Sequence, residues 1–514
     1  MNKLASGVAL AAALAASNAF AAEPAATAVI TVDTTKELGP ILDMNSVNGG
    51  PAISPVAGDQ KSGNFEDYRT LRIPMARTHD CIGCVPGGAH ACDISAIFPN
   101  FDADENDPKN YDFVFTDYYL DNIIRAGTKP FFRLGQTIEH GPKKYGAQPP
   151  KDFAKWARIC EHVIHHYKDG WGWATDTAHT TKNIVWSNQF DIVYWEIWNE
   201  PDLDVSDDPN ALPTGPRCWG GTVTNYFRLY ETAAKHLKAK FPDLKIGGPA
   251  SCGRFDWCRR FLAYCRDNQV PLDFFSWHLY SVDPAHIANQ CRNAREMLDE
   301  YGFTATESIL NEWNYVKGWV DDWQYSREVE SGSFNQKGAA FVAATMVECQ
   351  SAKVDHLMYY DARPGGMNGI FKSLSLAPMR GYYPFYAWAR LADCGTQVAC
   401  SVLQGRGKKT EAETGVSPDR QLRPETAADF RAIAAKGADG TCALLVVRYS
   451  DDNNITDTAT VYLHLPGIDL RQARCHMTDS FRIYTEVSLV RASDGSCLVH
   501  MQPNSFIFVE WRTE

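Results

Sequence analysis

Two glutamates stand where apolar, strand-like runs stop, and that placement suits acid–base chemistry. The first closes Ile192-Val-Tyr-Trp-Glu-Ile-Trp-Asn-Glu-Pro201, in which Pro201 ends any ladder directly after Glu200. The second closes Ser308-Ile-Leu-Asn-Glu312, which runs on into Trp313 and Asn314. Cleavage of a glycosidic bond requires such a pair: one carboxylic acid protonates the departing oxygen, and the other group attacks the anomeric carbon. Trp195 and Trp198 beside Glu200 raise its pKa by desolvation, as a general acid needs.

The two glutamates lie 112 residues apart. At about 35–40 residues per βα unit that is three units, which puts Glu200 on a fourth strand and Glu312 on a seventh. Carboxylates projecting inward from those strands can approach to about 5–5.5 Å, the separation used by configuration-retaining enzymes. Between them, Leu272-Asp-Phe-Phe-Ser-Trp-His-Leu-Tyr280 forms a sixth strand, on which His278 and Tyr280 share a side. One of the two is placed to hydrogen-bond Glu312. On the second strand Arg77-Thr-His79 repeats that spacing. A buried Arg77 beside Glu312 predicts a lowered pKa there, the opposite of Glu200, and such a split assigns acid and nucleophile. After the eighth strand, Tyr360, Asp361 and Arg363 are candidate sugar contacts. Arg363 either binds a uronate carboxylate or bridges loop carboxylates. Trp313, at the head of a Trp-rich loop, is a candidate stacking surface, and Gln136, Glu139 and His140 follow the third strand.

The elements that must hold these residues are legible as alternating short apolar runs and longer amphipathic stretches from about residue 40 to 393. Strands are expected at 41–46, 70–76, 129–134, 192–198, 245–248, 272–278, 308–312 and 356–361. Helices are expected at 153–168, 226–240, 285–301 and 336–351. The fold class is therefore α/β, a (β/α)8 TIM barrel. From residue 394 to 514 short strands follow one another without helices, which predicts a C-terminal β-sandwich. Residues 23–39 contain the strand-like Ala28–Val32, expected to join that sandwich, and 404–427 read as a loop.

Residues 1–22 have the make-up of a cleavable signal peptide: Lys3, a short Ala-rich apolar run, and Ala19-Phe-Ala21 before a cut near Ala21 or Ala22. A secreted or periplasmic location follows, and the 15 cysteines are then disulfide candidates first. Cys81-Ile-Gly-Cys84 with His90 and Cys92 has the look of a zinc-site fragment, but no second Cys-x-x-Cys completes it, and no metal or other cofactor is expected. A net charge of −12 argues against a nucleic-acid partner, and no segment after the leader is apolar enough for a membrane span.

Trp198-Asn-Glu-Pro201, His278-x-Tyr280 and the strand-end Glu312 together resemble clan A glycoside hydrolases. Within that clan, Arg77-x-His79 and the trailing sandwich make the chain most similar to glycoside hydrolase family 39, the β-xylosidase and α-L-iduronidase family. The resemblance implies a retaining glycosidase with Glu200 as acid/base and Glu312 as nucleophile. It also implies that Asn199 holds the sugar 2-hydroxyl, and that the substrate is a β-xyloside or related glycoside or oligosaccharide. Long mouth loops suggest exo action. An endo-acting clan A glycanase and a non-catalytic carbohydrate-binding protein remain as alternatives.

Overall fold

The computed structural model describes residues 26–52, 63–85, 88–172, 190–206, 208–317, 332, 334–364, 369–406 and 429–513. The leader, Trp319 and Trp323, and most of the 404–427 loop lie outside these residues. Eight parallel strands close a barrel: Ser46–Asn48, Met75–Arg77, Lys129–Leu134, Tyr194–Ile197, Lys245–Ser251, Phe274–Ser281, Glu307–Tyr315 and His356–Tyr359. The last pairs with the first. Glu200 follows the fourth strand and Glu312 lies on the seventh.

The first strand begins at Ser46, later than expected, because Ile41 and Met44 join the shell core while Ile41 N–H donates to the Gly395 carbonyl. Four barrel helices start where a side chain accepts from a free amide of the first turn. Asp152 caps Phe153–Asp169, Thr222 caps Val223–Lys240, Asp283 caps Pro284–Glu300 and Asn335 caps Gln336–Cys349.

The two-residue period of the strands stacks the barrel interior in layers. The lower layer is apolar, with Met75, Phe131, Phe274, Ile309 and Met358 packed together and Tyr194 against them. Two residues further along the same strands come Arg77, Arg133, Ser276, Asn311 and Glu196, a polar layer without measurable exposure. The chemistry-bearing mouth rests on that layer.

The second unit is a ten-stranded, mostly antiparallel sheet that curls over its own core. Ala26–Pro40 runs between Thr396–Arg406 and Ala459–His464. Its inner face gathers Ile30, Val398, Leu444, Val461, Val499 and Ile507 from both ends of the sheet. Its outer face, through Leu445, Val447, Phe506 and Phe508, belongs to the same core as Phe341 and Trp388 of the barrel helices. Tyr449 donates to the Val282 carbonyl at 2.6 Å, and Tyr315 and Lys337 both reach Asp451.

None of the 15 cysteines is bonded to another, which corrects the disulfide expectation. Most are packed as small apolar side chains, with burial pushing thiols such as Cys84 and Cys160 upward. The Cys81 and Cys92 sulfurs lie 3.6 Å apart, while Cys84 faces the Gly50 carbonyl and His90 faces Asp93. Among the described residues no helix is long and apolar enough to cross a membrane.

Because one core crosses from barrel to sheet, the intact protein should unfold in a single calorimetric transition. A chain ended after Cys394 should show no cooperative melt; one with a native-like near-UV spectrum and a sharp transition would show that the barrel stands alone.

Candidate active site

Local backbone geometry lets neighbouring residues face the mouth together. Trp198 and Glu200 both adopt left-handed conformations, at φ 79° and 45°. This breaks the strand alternation after Glu196, turning Trp198 outward onto Trp156 and Trp219 while Asn199 and Glu200 both face inward. Such strained positions are characteristic of functional sites. Glu200 N–H is held by the Ala250 carbonyl at 2.8 Å. On the seventh strand a register shift skips Asn311, so Asn311 and Glu312 both point inward.

Arg77 sits at the centre with no exposed surface. Its Nε donates to Glu196 at 2.6 Å, its Nη1 to Glu312 at 2.7 Å and to Asn48 at 3.1 Å, and its Nη2 to Asn199 Oδ1 at 2.6 Å. Glu196 also accepts from Ser276 Oγ and Asn311 Nδ2, each at 2.6 Å. Tyr280 donates to the second oxygen of Glu312 at 2.8 Å. His278 Nδ1 lies 2.9 Å from Glu200 and 3.4 Å from Glu312, so it serves Glu200 first. His79 Nε2 stands 3.6 Å from Glu312. Carboxylate oxygens of Glu200 and Glu312 lie within 4.8 Å of each other and of His278.

Burial raises the Glu200 carboxyl to about 7, against the pull of Arg77 and Arg217. Burial raises Glu312 as well, which corrects the expectation of a lowered pKa there. Arg77, His278 and the Tyr280 bond do pull it down, but desolvation outweighs them. Burial lowers His278 and His79, which favours the neutral rings, and the tautomer of His278 decides which partner donates in its 2.9 Å contact with Glu200. The arrangement sets a carboxyl group raised to about 7 opposite a second one that is hydrogen-bonded on both oxygens.

Two expected sugar contacts are placed differently. The seventh strand continues to Tyr315, so Trp313 lies on its outer face, fully buried against Phe341 and Tyr359 and away from the mouth. Arg363 bridges carboxylates, reaching Asp80 at 2.7 Å and Asp361 at 2.5 Å, while Tyr360 donates to Asp80 at 2.7 Å. Sequence reasoning passed over Glu196, Asn48, Asp80 and Cys218, whose sulfur lies 3.8 Å from Glu200. For Glu196 a signal existed: it stands two residues from Tyr194, on the inward face of its strand.

A family model described as glycosyl hydrolases family 39 matches residues 29–365, and the chain belongs to that family. It is 30% identical over 186 residues to a β-xylosidase of Geobacillus stearothermophilus and 30% identical over 204 residues to one of Caldicellulosiruptor saccharolyticus. These alignments cover 34% and 38% of this chain and 32% and 35% of those proteins. The chain thus spans about a third of the length of the curated relatives it matches. Among solved structures, a glucosidase from Croceicoccus marinus superposes with a TM-score of 0.68 at 20% identity, over 95% of this chain and 99% of that one. A monomeric β-xylosidase from Caulobacter crescentus gives 0.61 at 17%, over 94% and 99%, and a family 39 enzyme from Xanthomonas axonopodis pv. citri gives 0.59 at 15%, over 96% and 98%. Identities at this level establish the shared fold.

Two measurements probe the electrostatics. Folding raises Glu200 from 4.5 to about 7, so the folded state holds a proton that the unfolded chain has released, and stability falls as pH rises through that window. The loss amounts to about 3 kcal/mol. Glu200→Gln removes it, so the melting temperature of the variant relative to wild type should climb between pH 4.5 and 7; a flat difference would contradict the raised pKa. Glu196→Gln leaves Arg77 with Glu312 as its one carboxylate partner among these three groups. The acidic limb of activity should then move down by about one pH unit, and an unmoved limb would mean that Glu196 does not bias Glu312.

Proposed function

We propose that this protein is a retaining, exo-acting glycosidase for β-xylosides or closely related neutral glycosides, exported by the leader at 1–22. The observation that carries the reading is the pair of carboxyl groups within 4.8 Å from strands four and seven, one beside His278 and the other bonded to Arg77 and Tyr280. That separation suits direct attack and leaves no room for the intervening water that inverting enzymes require. Glu312 attacks the anomeric carbon as Glu200 protonates the departing oxygen, which gives a glycosyl ester on Glu312. Glu200, now a carboxylate, takes a proton from water, and that water displaces Glu312 with net retention. Esterification removes the charge of Glu312, yet Arg77 keeps Glu196 as its counter-charge, so no bare cation is left buried. Asn199, His79 and Tyr280 surround the reacting sugar unit in this reading.

The family's named activities include a neutral and an acidic sugar, and the electrostatics favour the neutral one. Arg77 is matched to Glu196 and Glu312, Arg217 to Asp204, and Arg363 to Asp80 and Asp361. A uronate would have to displace one of these carboxylates, whereas a xyloside needs no cation.

The test is turnover of aryl glycosides by wild type, Glu312→Ala and Glu200→Ala, with azide added to each variant. Expected are hydrolysis of the β-xyloside in preference to the α-L-iduronide and loss of activity in Glu312→Ala, with azide trapping the inverted glycosyl azide. Glu200→Ala should lose about 10²–10⁴-fold on poor leaving groups. Preference for the iduronide would overturn the substrate assignment, and a fully active Glu312→Ala would overturn the mechanism.

A further inference from the structure

The loops after the second and third barrel strands enclose a cavity of about 250 Å³ that the site above does not use. Both loops leave C-terminal strand ends, so the cavity lies on the same face of the barrel as Glu200 and Glu312. Trp198 forms one wall. Its indole nitrogen donates to the Cys218 carbonyl at 3.0 Å, and the Cys218 sulfur touches Glu200. The cavity is thus one layer of side chains away from the acid side of the mouth.

Its lining has the chemistry of sugar recognition. Phe101 and the 76% exposed Tyr145 present ring surface, and the edges of the buried Trp156 and Trp198 complete the wall. Gln136 is only 3% exposed, and its carbonyl oxygen accepts from Ser95 at 2.9 Å. Its amide nitrogen donates to no other residue among the described ones and keeps access to the cavity, where an acceptor can meet it. The wall is built for this side chain, since a Cβ at Gly146 would fall 2.0 Å from the Gln136 amide carbon. Tyr145 is held in place by the buried Glu139, whose carboxylate accepts from Tyr145 N–H at 2.8 Å and from Gly146 and Ala147 at 3.2 Å. Lys151 in the same lining is matched to Asp102 at 2.8 Å, so the cavity offers no unmatched charge there.

We propose that this cavity is a second carbohydrate site, taking one neutral pyranose unit of an oligosaccharide away from the bond being cleaved. Aromatic faces cover the C–H surface of the ring, and the Gln136 amide donates to a hydroxyl oxygen. The inference rests on the glycosidase reading of the mouth.

The test uses full-length Tyr145→Ala and Gln136→Met, compared on aryl β-xyloside, xylotetraose and cellotetraose. Both variants should keep the wild-type kcat/KM on the aryl glycoside. On the tetrasaccharide that wild type prefers, kcat/KM should fall about five- to tenfold, chiefly through KM. Unchanged tetrasaccharide kinetics, or equal losses on both kinds of substrate, would overturn the second site. If wild type turns over none of the three, the reading of the mouth fails by itself, and calorimetric titration with the tetrasaccharides decides. Binding weakened by Tyr145→Ala supports the cavity, whereas absent or unchanged binding overturns it.

Discussion

A single guanidinium, buried without any exposed surface, holds the barrel of this molecule in register. Arg77 joins Glu196 on the fourth strand, Glu312 on the seventh, Asn48 at the end of the first and Asn199 at the mouth. Taking an arginine out of water costs several kcal/mol, and only well-formed charge-assisted bonds on several sides can offset that. Those bonds come from four places on the barrel wall, so the ion cluster can exist only when the barrel is closed. Closure in turn fixes where Glu312 points. Glu196 gives Arg77 a partner that chemistry at Glu312 does not consume.

The same economy of charge extends outward. Around the mouth Arg217 meets Asp204, and Arg363 meets Asp80 and Asp361. At the two facing carboxyl groups burial outweighs the pull of Arg77. Burial raises both, and Glu200, with the neutral His278 beside it, stands near 7. Beneath them the stack of Phe131, Phe274, Ile309 and Met358 keeps the polar layer dry. Behind them the curled sheet closes the barrel helices through Phe506, Phe508 and Phe341, and so acts as a buttress.

Much of this was readable before any coordinates. Glu200 and Glu312 were found because apolar runs of strand length end on them, and counting βα units placed them on strands four and seven. That one of His278 and Tyr280 meets Glu312 follows from the two-residue period, and the structure selects Tyr280. The failures have equally local causes. Trp313 was read as part of a loop because the seventh strand runs three residues beyond its apolar stretch. Asn311 faces inward beside Glu312 only because of a bulge, and a bulge leaves no mark in an apolar pattern. Glu196 was passed over as the interior of a strand, although alternation from Tyr194 put it on the inner face. The cysteines suggested cross-links, but every one is a free thiol, including the neighbouring Cys81 and Cys92.

The sequence by itself determined the alternation of strands and helices, the two strand-end glutamates, the change of character after residue 394 and the likeness to family 39. All of these are periodic or local properties, which survive in a linear string. Only the tertiary structure decided that Arg77 is shared between Glu196 and Glu312, that His278 serves Glu200 first, and that Arg363 is already matched. It also reversed the expected direction at Glu312. Distance and protonation are set by groups far apart in the chain and by the water that folding excludes, and neither quantity is written in the order of the residues.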